Sequence, residues 1–182
     1  MIGIIIQARL NSSRLPAKIM LKLPTGRSVL EEVVFNCEKT GFKTLVASDT
    51  DLFGIADFIG DKDDVWTRYI QCAMENNIDI IVRITSDCPM IIPEAIRDAV
   101  GKYMASDSEY IFNHNDHEPS SGDGYDVEVF SLEDLIRYGK AKEHVTSNLR
   151  KHATRLKITP PNGTAVSVNT IEDYIKVYRM LQ

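Results

Sequence analysis

The feature that most constrains this chain is an alternation. Short, unbroken runs rich in Val and Ile are separated by segments with helical spacing. The runs lie at residues 2–6, 44–47, 78–84, 110–112, 127–130, 156–159 and 165–168. A strand that is apolar on both faces must be covered on both faces, so such runs predict a sheet sandwiched between helices. Helices are predicted over residues 28–40, 64–75, 93–104, 132–138 and 171–181. In the first, Val29, Val33 and Val34 share a face, and Gly41 supplies a C-cap. Pro93 opens the third, where its missing N–H costs nothing. Ser131 and Thr170 are N-cap residues for the last two, with acidic residues in the first turn behind them. The order β-α-β-α-β-α with a mixed tail predicts an α/β fold, a Rossmann-like three-layer sandwich around a mostly parallel mixed sheet. Long loops are expected at 8–26, 49–63 and 113–125.

A chain of 182 residues is expected to form a single domain over 1–182, large enough to bury a core without metal or disulfides. The net charge of -5 argues against nucleic acid as a partner, so any phosphate must meet a local group of cations. Cys37, Cys72 and Cys88 are odd in number and widely spaced, which suits buried free thiols in a reducing cytoplasm. The run at 2–6 is too short for a signal segment and lacks a basic start, and no stretch reaches membrane-spanning length.

The first strand leads directly into a loop that begins Gln7-Ala8-Arg9 and continues through Ser12, Ser13 and Arg14 to Lys18. Open α/β sheets bind ligands at the carboxyl ends of their strands. Guanidinium forks, an ammonium group and small residues that admit the backbone are the equipment a triphosphate requires. The loop is neither a Walker loop nor a dinucleotide fingerprint. Asp87 follows the strand at 78–84 and faces the same crevice. Mg2+ favours one or two carboxylates beside phosphate oxygens, which makes Asp87 the candidate metal ligand; the bland alternative is a turn aspartate before Pro89.

The segment Ala8-Arg9-x-x-Ser12-Ser13-Arg14-Leu15-Pro16-x-Lys18 resembles the signature of the cytidylyltransferases that make CMP-activated sugar acids. The likeness is closest to the spore-coat polysaccharide branch, near CMP-KDO synthetase. It continues, in order, through Asp64-Val65-x-x-Arg68-Tyr69, Arg83-Ile84-Thr85-x-Asp87-Cys88-Pro89, Asp123-Gly124-x-Asp126-Val127-Glu128, and Glu143-His144-Val145-Thr146. The resemblance implies CTP as substrate and CMP transfer to a sugar-acid acceptor for surface glycan synthesis, with pyrophosphate released. It implies a fold of the nucleotide-diphospho-sugar transferase type, and it leaves a homodimer as an open expectation. By resemblance, Arg9, Arg14 and Lys18 hold the triphosphate, Gln7, Ala8, Ser12 and Ser13 complete the nucleotide loop, and Arg68 reaches the nucleotide. The family's second metal-binding aspartate falls at Asn169, whose amide oxygen can coordinate Mg2+ without adding charge. A family arginine falls near Ala165, and the branch's usual glycine is Ala17.

Asp123, Asp126 and Glu128 form an acidic stretch able to accept hydrogen bonds from sugar hydroxyls, an acceptor wall or equally a solvated turn. His144 is placed at the head of a helix, touching acceptor or packing that helix. His114 and His117 lack a third ligand at metal spacing and are assigned to a loop. Trp66 and Tyr69 are assigned to the core. Two other functions fit parts of the chain. Asp49-Thr50-Asp51 has the form of a glycosyltransferase metal motif, and Asn169 suits a catalytically weakened nucleotide-binding homologue.

Overall fold

The computed structural model describes residues 1–113, 124–140, 144–157 and 165–182. Seven strands form one sheet in the order β3-β2-β1-β4-β6-β5-β7. Strands β1 (Ile2–Gln7), β2 (Lys43–Ser48), β3 (Phe58–Ile59) and β4 (Ile80–Thr85) run parallel. Strand β6 (Val127–Ser131) is antiparallel to β4, and β5 (Tyr110–Phe112) lies between β6 and the edge strand β7 (Arg155–Lys157).

The unbroken run in β1 has a direct cause. Ile4 and Ile6 join one core with Leu30 and Val33 of α1 (Val29–Glu38) and Ile96 and Ala99 of α3 (Pro93–Met104). Ile5 joins a separate core on the other face. There it meets Tyr69 and Cys72 of α2 (Val65–Glu75), Leu135 of α4 (Leu132–Tyr138) and Leu149 of α5 (Ser147–His152). The predicted three-layer α/β sandwich with a mostly parallel mixed sheet is therefore the observed fold. Trp66 and Tyr69 pack as expected: Tyr69 is fully buried, and Trp66 Nε1 donates to the Leu135 carbonyl at 3.2 Å. A third, smaller cluster joins Leu23 and Val29 to Val166, Val168 and Val177 of α6 (Ile171–Met180).

Several predicted boundaries move. Residues 165–168 are not a strand. Val166 and Val168 spend their apolar surface in the third cluster, beside the sheet, and Val168 N–H donates to the Asp87 carbonyl at 2.8 Å. Strand β4 begins at Ile80 because Ile78 instead packs over Gly3, where an added Cβ would lie 2.5 Å from Ile78 Cδ1. The loop predicted at 49–63 contains β3, too short for any periodic signal, and the loop at 8–26 contains a 3-10 turn at Lys18–Met20. The predicted strand at 156–159 is seen as the exposed β7, its last two residues lying outside the described ones.

Candidate active site

Chain connections diverge around β1 and β4. From β1 the chain crosses α1 to β2 on one side, and it returns to β4 on the other. At such a switch point, loops leaving adjacent carboxyl ends open a crevice between them. Gln7 and Thr85 are register partners at those ends, so the loops after them share that crevice.

The loop after β1 is compact. Ala8 is buried and its N–H donates to Ala47 O at 3.0 Å; Ala17 N–H then closes the loop on Leu10 O at 2.9 Å. Ile19, also buried, anchors the exit. This clamping leaves Arg9, Ser13 and Arg14 exposed, with Ser12 and Lys18 half-buried. Ala17 has φ 52 and ψ 24, the left-handed conformation.

Three segments distant in sequence meet over the crevice. Lys18 Nζ lies 2.5 Å from Asp87 Oδ2 and 3.0 Å from Asn169 Oδ1. Arg14 Nη2 donates to the same Asn169 oxygen at 2.9 Å. Asp173 holds the Asn169 backbone by accepting from the N–H groups of Asn169 and Thr170 at 3.1 and 2.9 Å, within the α6 capping box. Beneath Asp87, Cys88 is buried, with Sγ 3.0 Å from Thr85 Oγ1 and 3.4 Å from Ser167 Oγ. Burial pushes its thiol pKa well up, so it stays protonated.

Arg9 is not in this knot. Its charge acts on Arg68, a buried guanidinium whose pKa is pulled down first by burial, with Arg9 adding to that effect and Asp49 opposing it. Arg68 Nη1 donates to Asp61 O at 3.2 Å. On the far side of β4, Glu128 is buried against two arginines: Arg83 Nη1 at 2.7 Å and Arg150 Nη2 at 2.5 Å, both on Oε1. Asp126 is half-buried at the amino end of β6, and its charge acts on both Cys88 and Arg83. His144 is exposed and stands before α5, its N–H donating to Ser147 Oγ at 3.1 Å; the helix itself starts at Ser147. Asp123, His114, His117 and Glu143 lie outside the described residues.

The cytidylyltransferase family profile matches residues 3–159. The chain belongs to the cytidylyltransferase family. Among its relatives is the spore coat polysaccharide biosynthesis protein SpsF of Bacillus subtilis, 25% identical over 98% of this chain and 85% of that protein. A solved cytidylyltransferase from Leptospira borgpetersenii superposes with a TM-score of 0.81 at 27% identity, covering 95% of this chain and 83% of that one. The structure of CMP:2-keto-3-deoxy-manno-octonic acid synthetase complexed with CTP superposes at 0.71 with 15% identity, over 98% of this chain and 97% of that one.

Within this cytidylyltransferase, the donor set at the crevice fits a hard divalent cation. Two oxygens, Asp87 Oδ2 and Asn169 Oδ1, already converge on one cationic atom, Lys18 Nζ. Among the described residues no group of three or more His, Cys, Asp or Glu forms a cage. One carboxylate and one amide oxygen suit an ion that takes its remaining ligands from phosphate and water. Sequence reasoning gave no role to Arg83 or Arg150. The signal for Arg83 was present: a charge inside an otherwise apolar strand requires a buried partner. Arg150 carried no local signal.

Proposed function

We propose that this cytidylyltransferase binds CTP with Mg2+ in the β1/β4 crevice and transfers CMP to a hydroxyl of a sugar acid, as a step in surface glycan synthesis. The observation that carries the reading is the meeting of Arg14 and Lys18 with Asp87 and Asn169. Here two cations from the loop after β1 face the one carboxylate that follows β4. The relative's role in polysaccharide biosynthesis and the CTP complex of the structural neighbour support the same assignment.

Arg14 and Lys18 would move from Asn169 and Asp87 onto the β- and γ-phosphates. Arg9 and the Ser12 and Ser13 hydroxyls would line the rest of the nucleotide loop, with Arg68 behind Arg9 toward the nucleoside. Asp87 and Asn169 would hold Mg2+, which supplies positive charge against the triphosphate and polarises the reacting phosphate. The acceptor hydroxyl oxygen bonds to the α-phosphorus, the bond to the leaving pyrophosphate oxygen breaks, and the hydroxyl proton passes to water. Little covalent help is needed; alignment and neutralisation of charge on the leaving oxygen lower the barrier. Asp126 and His144 belong to the acceptor side in this reading, as does Asp123. Three buried thiols suit a reducing, cytoplasmic setting.

The glycosyltransferase alternative is weaker, because Asp51 Oδ2 is committed to the Gly54 N–H at 2.8 Å in a local turn. Thermal melting in the presence of Mg2+ tests the nucleotide assignment. CTP at a hundred times its dissociation constant should add about 2.7 kcal/mol of stability. ATP, GTP and UTP at the same concentration should add less. Equal shifts for all four remove the cytidine assignment, and no shift for any removes the nucleotide site.

A further inference from the structure

The oxygens that suit a divalent cation are already engaged by cations of the loop after β1. An amide oxygen has two lone pairs. Asn169 Oδ1 accepts from Arg14 Nη2 at 2.9 Å and from Lys18 Nζ at 3.0 Å, so both are taken. Asp87 Oδ2 is held by the same ammonium nitrogen at 2.5 Å. The Lys18 and Asp87 side chains are 12% and 20% exposed, so solvent screens this pairing little. Lys18 Nζ thus stands between the two oxygens, where an ion using both would have to stand. Mg2+ demands oxygens at about 2.0–2.1 Å in near-octahedral geometry, and an ammonium group cannot share them with it.

The oxygens and the ammonium group are not equally fixed. Val168 N–H donates to the Asp87 carbonyl at 2.8 Å, which keeps the two ligand segments side by side. Asp173 holds the backbone N–H groups of Asn169 and Thr170. Cys88 Sγ, 3.4 Å from Ser167 Oγ, adds a buried tie between the same segments. Lys18 instead reaches in from the 3-10 turn on a flexible aliphatic stem. The ligand pair is the fixed part of the site, and Lys18 is the movable part.

We propose that Lys18 guards the metal position: it occupies that position in the nucleotide-free protein and yields it only to a triphosphate. This rests on the nucleotide and metal reading above and deepens it. A triphosphate carries enough negative charge to draw Arg14 and Lys18 off the ligand oxygens, and its own oxygens then help to complete the ion's shell. CMP lacks the β- and γ-phosphates that Lys18 would move onto, so it leaves the guard in place. Metal entry is then tied to the arrival of substrate, and metal loss to the departure of pyrophosphate.

The test is Mn2+ binding to the full chain, followed by the enhancement of water-proton relaxation. Wild type should bind Mn2+ about tenfold more weakly alone, or with CMP, than with CTP, because the ammonium charge opposes the ion until it is drawn away. Without nucleotide, Lys18→Met should bind Mn2+ about tenfold tighter than wild type, since that like charge is gone. Adding Asp87→Asn to Lys18→Met should remove the gain. Wild type that binds Mn2+ as tightly alone as with CTP overturns the proposal. So does a Lys18→Met chain with no gain, or a gain that survives Asp87→Asn. The wild-type comparison needs no variant, so a folding defect in Lys18→Met leaves the proposal falsifiable. The CTP melting shift, read on the same wild-type samples, separates the two claims: its presence with Mn2+ binding that ignores CTP sinks the guard alone.

Discussion

Ala17 holds a left-handed backbone in the loop after β1, with φ 52. An L-residue there costs roughly 1–2 kcal/mol, against about 0.4–1 kcal/mol of extra unfolded-chain entropy for glycine. Ala17→Gly should therefore stabilise the protein by about 1 kcal/mol, a rise of about 2–4 °C in melting temperature. This also explains in physical terms why glycine is the residue that fits the motif there. Asn169 is the second telling residue. Its amide oxygen accepts from both Arg14 and Lys18. Asn169→Asp would add a charged oxygen beside Asp87, and a screened unit charge is worth about 1 kcal/mol, roughly fivefold in affinity. A magnesium titration of turnover at fixed CTP should show half-saturation at a roughly fivefold lower concentration. Unchanged magnesium dependence would place the metal elsewhere.

At the scale of elements, α1 fixes the return of the loop after β1 into the fold. Its start is held by a capping box: the Ser28 side chain accepts from Glu31 N–H, and Glu31 Oε2 accepts from Ser28 N–H at 2.5 Å. Val29 N–H also bonds Leu21 O at 3.0 Å, tying the helix to the loop. The Ser28 N–H, assisted by Lys22, holds the Glu31 carboxyl down at about 2. A carboxyl with its folded pKa depressed stabilises the fold above its unfolded pKa of about 4.3 and loses that contribution as pH falls toward 2. Glu31→Gln keeps an oxygen for the Ser28 N–H but removes the charge, and should cost about 0.5–1 kcal/mol at pH 7, the scale of a carboxylate at a helix N-terminus. The gap from wild type should close between about pH 4.5 and pH 2 in thermal melts, and a constant gap would rule out Glu31 as its source. Such local elements were legible. Ser131, Thr170 and Pro93 all start helices where their chemistry places them. The two-residue β3 was not legible, because its pairing with Ala47 and Ser48 is all that defines it. The run at 165–168 misled for the opposite reason: its valines serve the third cluster and not the sheet.

Over the whole molecule, the sandwich and its crevice followed from the alternation of buried strands and amphipathic helices. So did the placement of the basic loop and Asp87 at neighbouring strand ends. What did not follow were contacts that depend on register and on distant chain segments. Lys18 and Asn169 are separated by 151 positions and touch only because Val168 lies along the Asp87 backbone. Glu128 faces Arg83 only because β6 runs antiparallel to β4, a direction that periodicity does not encode. The same architecture makes CMP transfer to a sugar acid testable by a single assay. Pyrophosphate release is followed with CTP, Mg2+ and a panel of sugar acids, omitting each component in turn, for the wild type and Lys18→Ala. Release should require all three components. Release should fall about ten- to a hundredfold in Lys18→Ala, the value of a charge-assisted bond of about 1.5–3 kcal/mol. Release that ignores the acid, or that persists unchanged without Lys18, would contradict CMP transfer at this site.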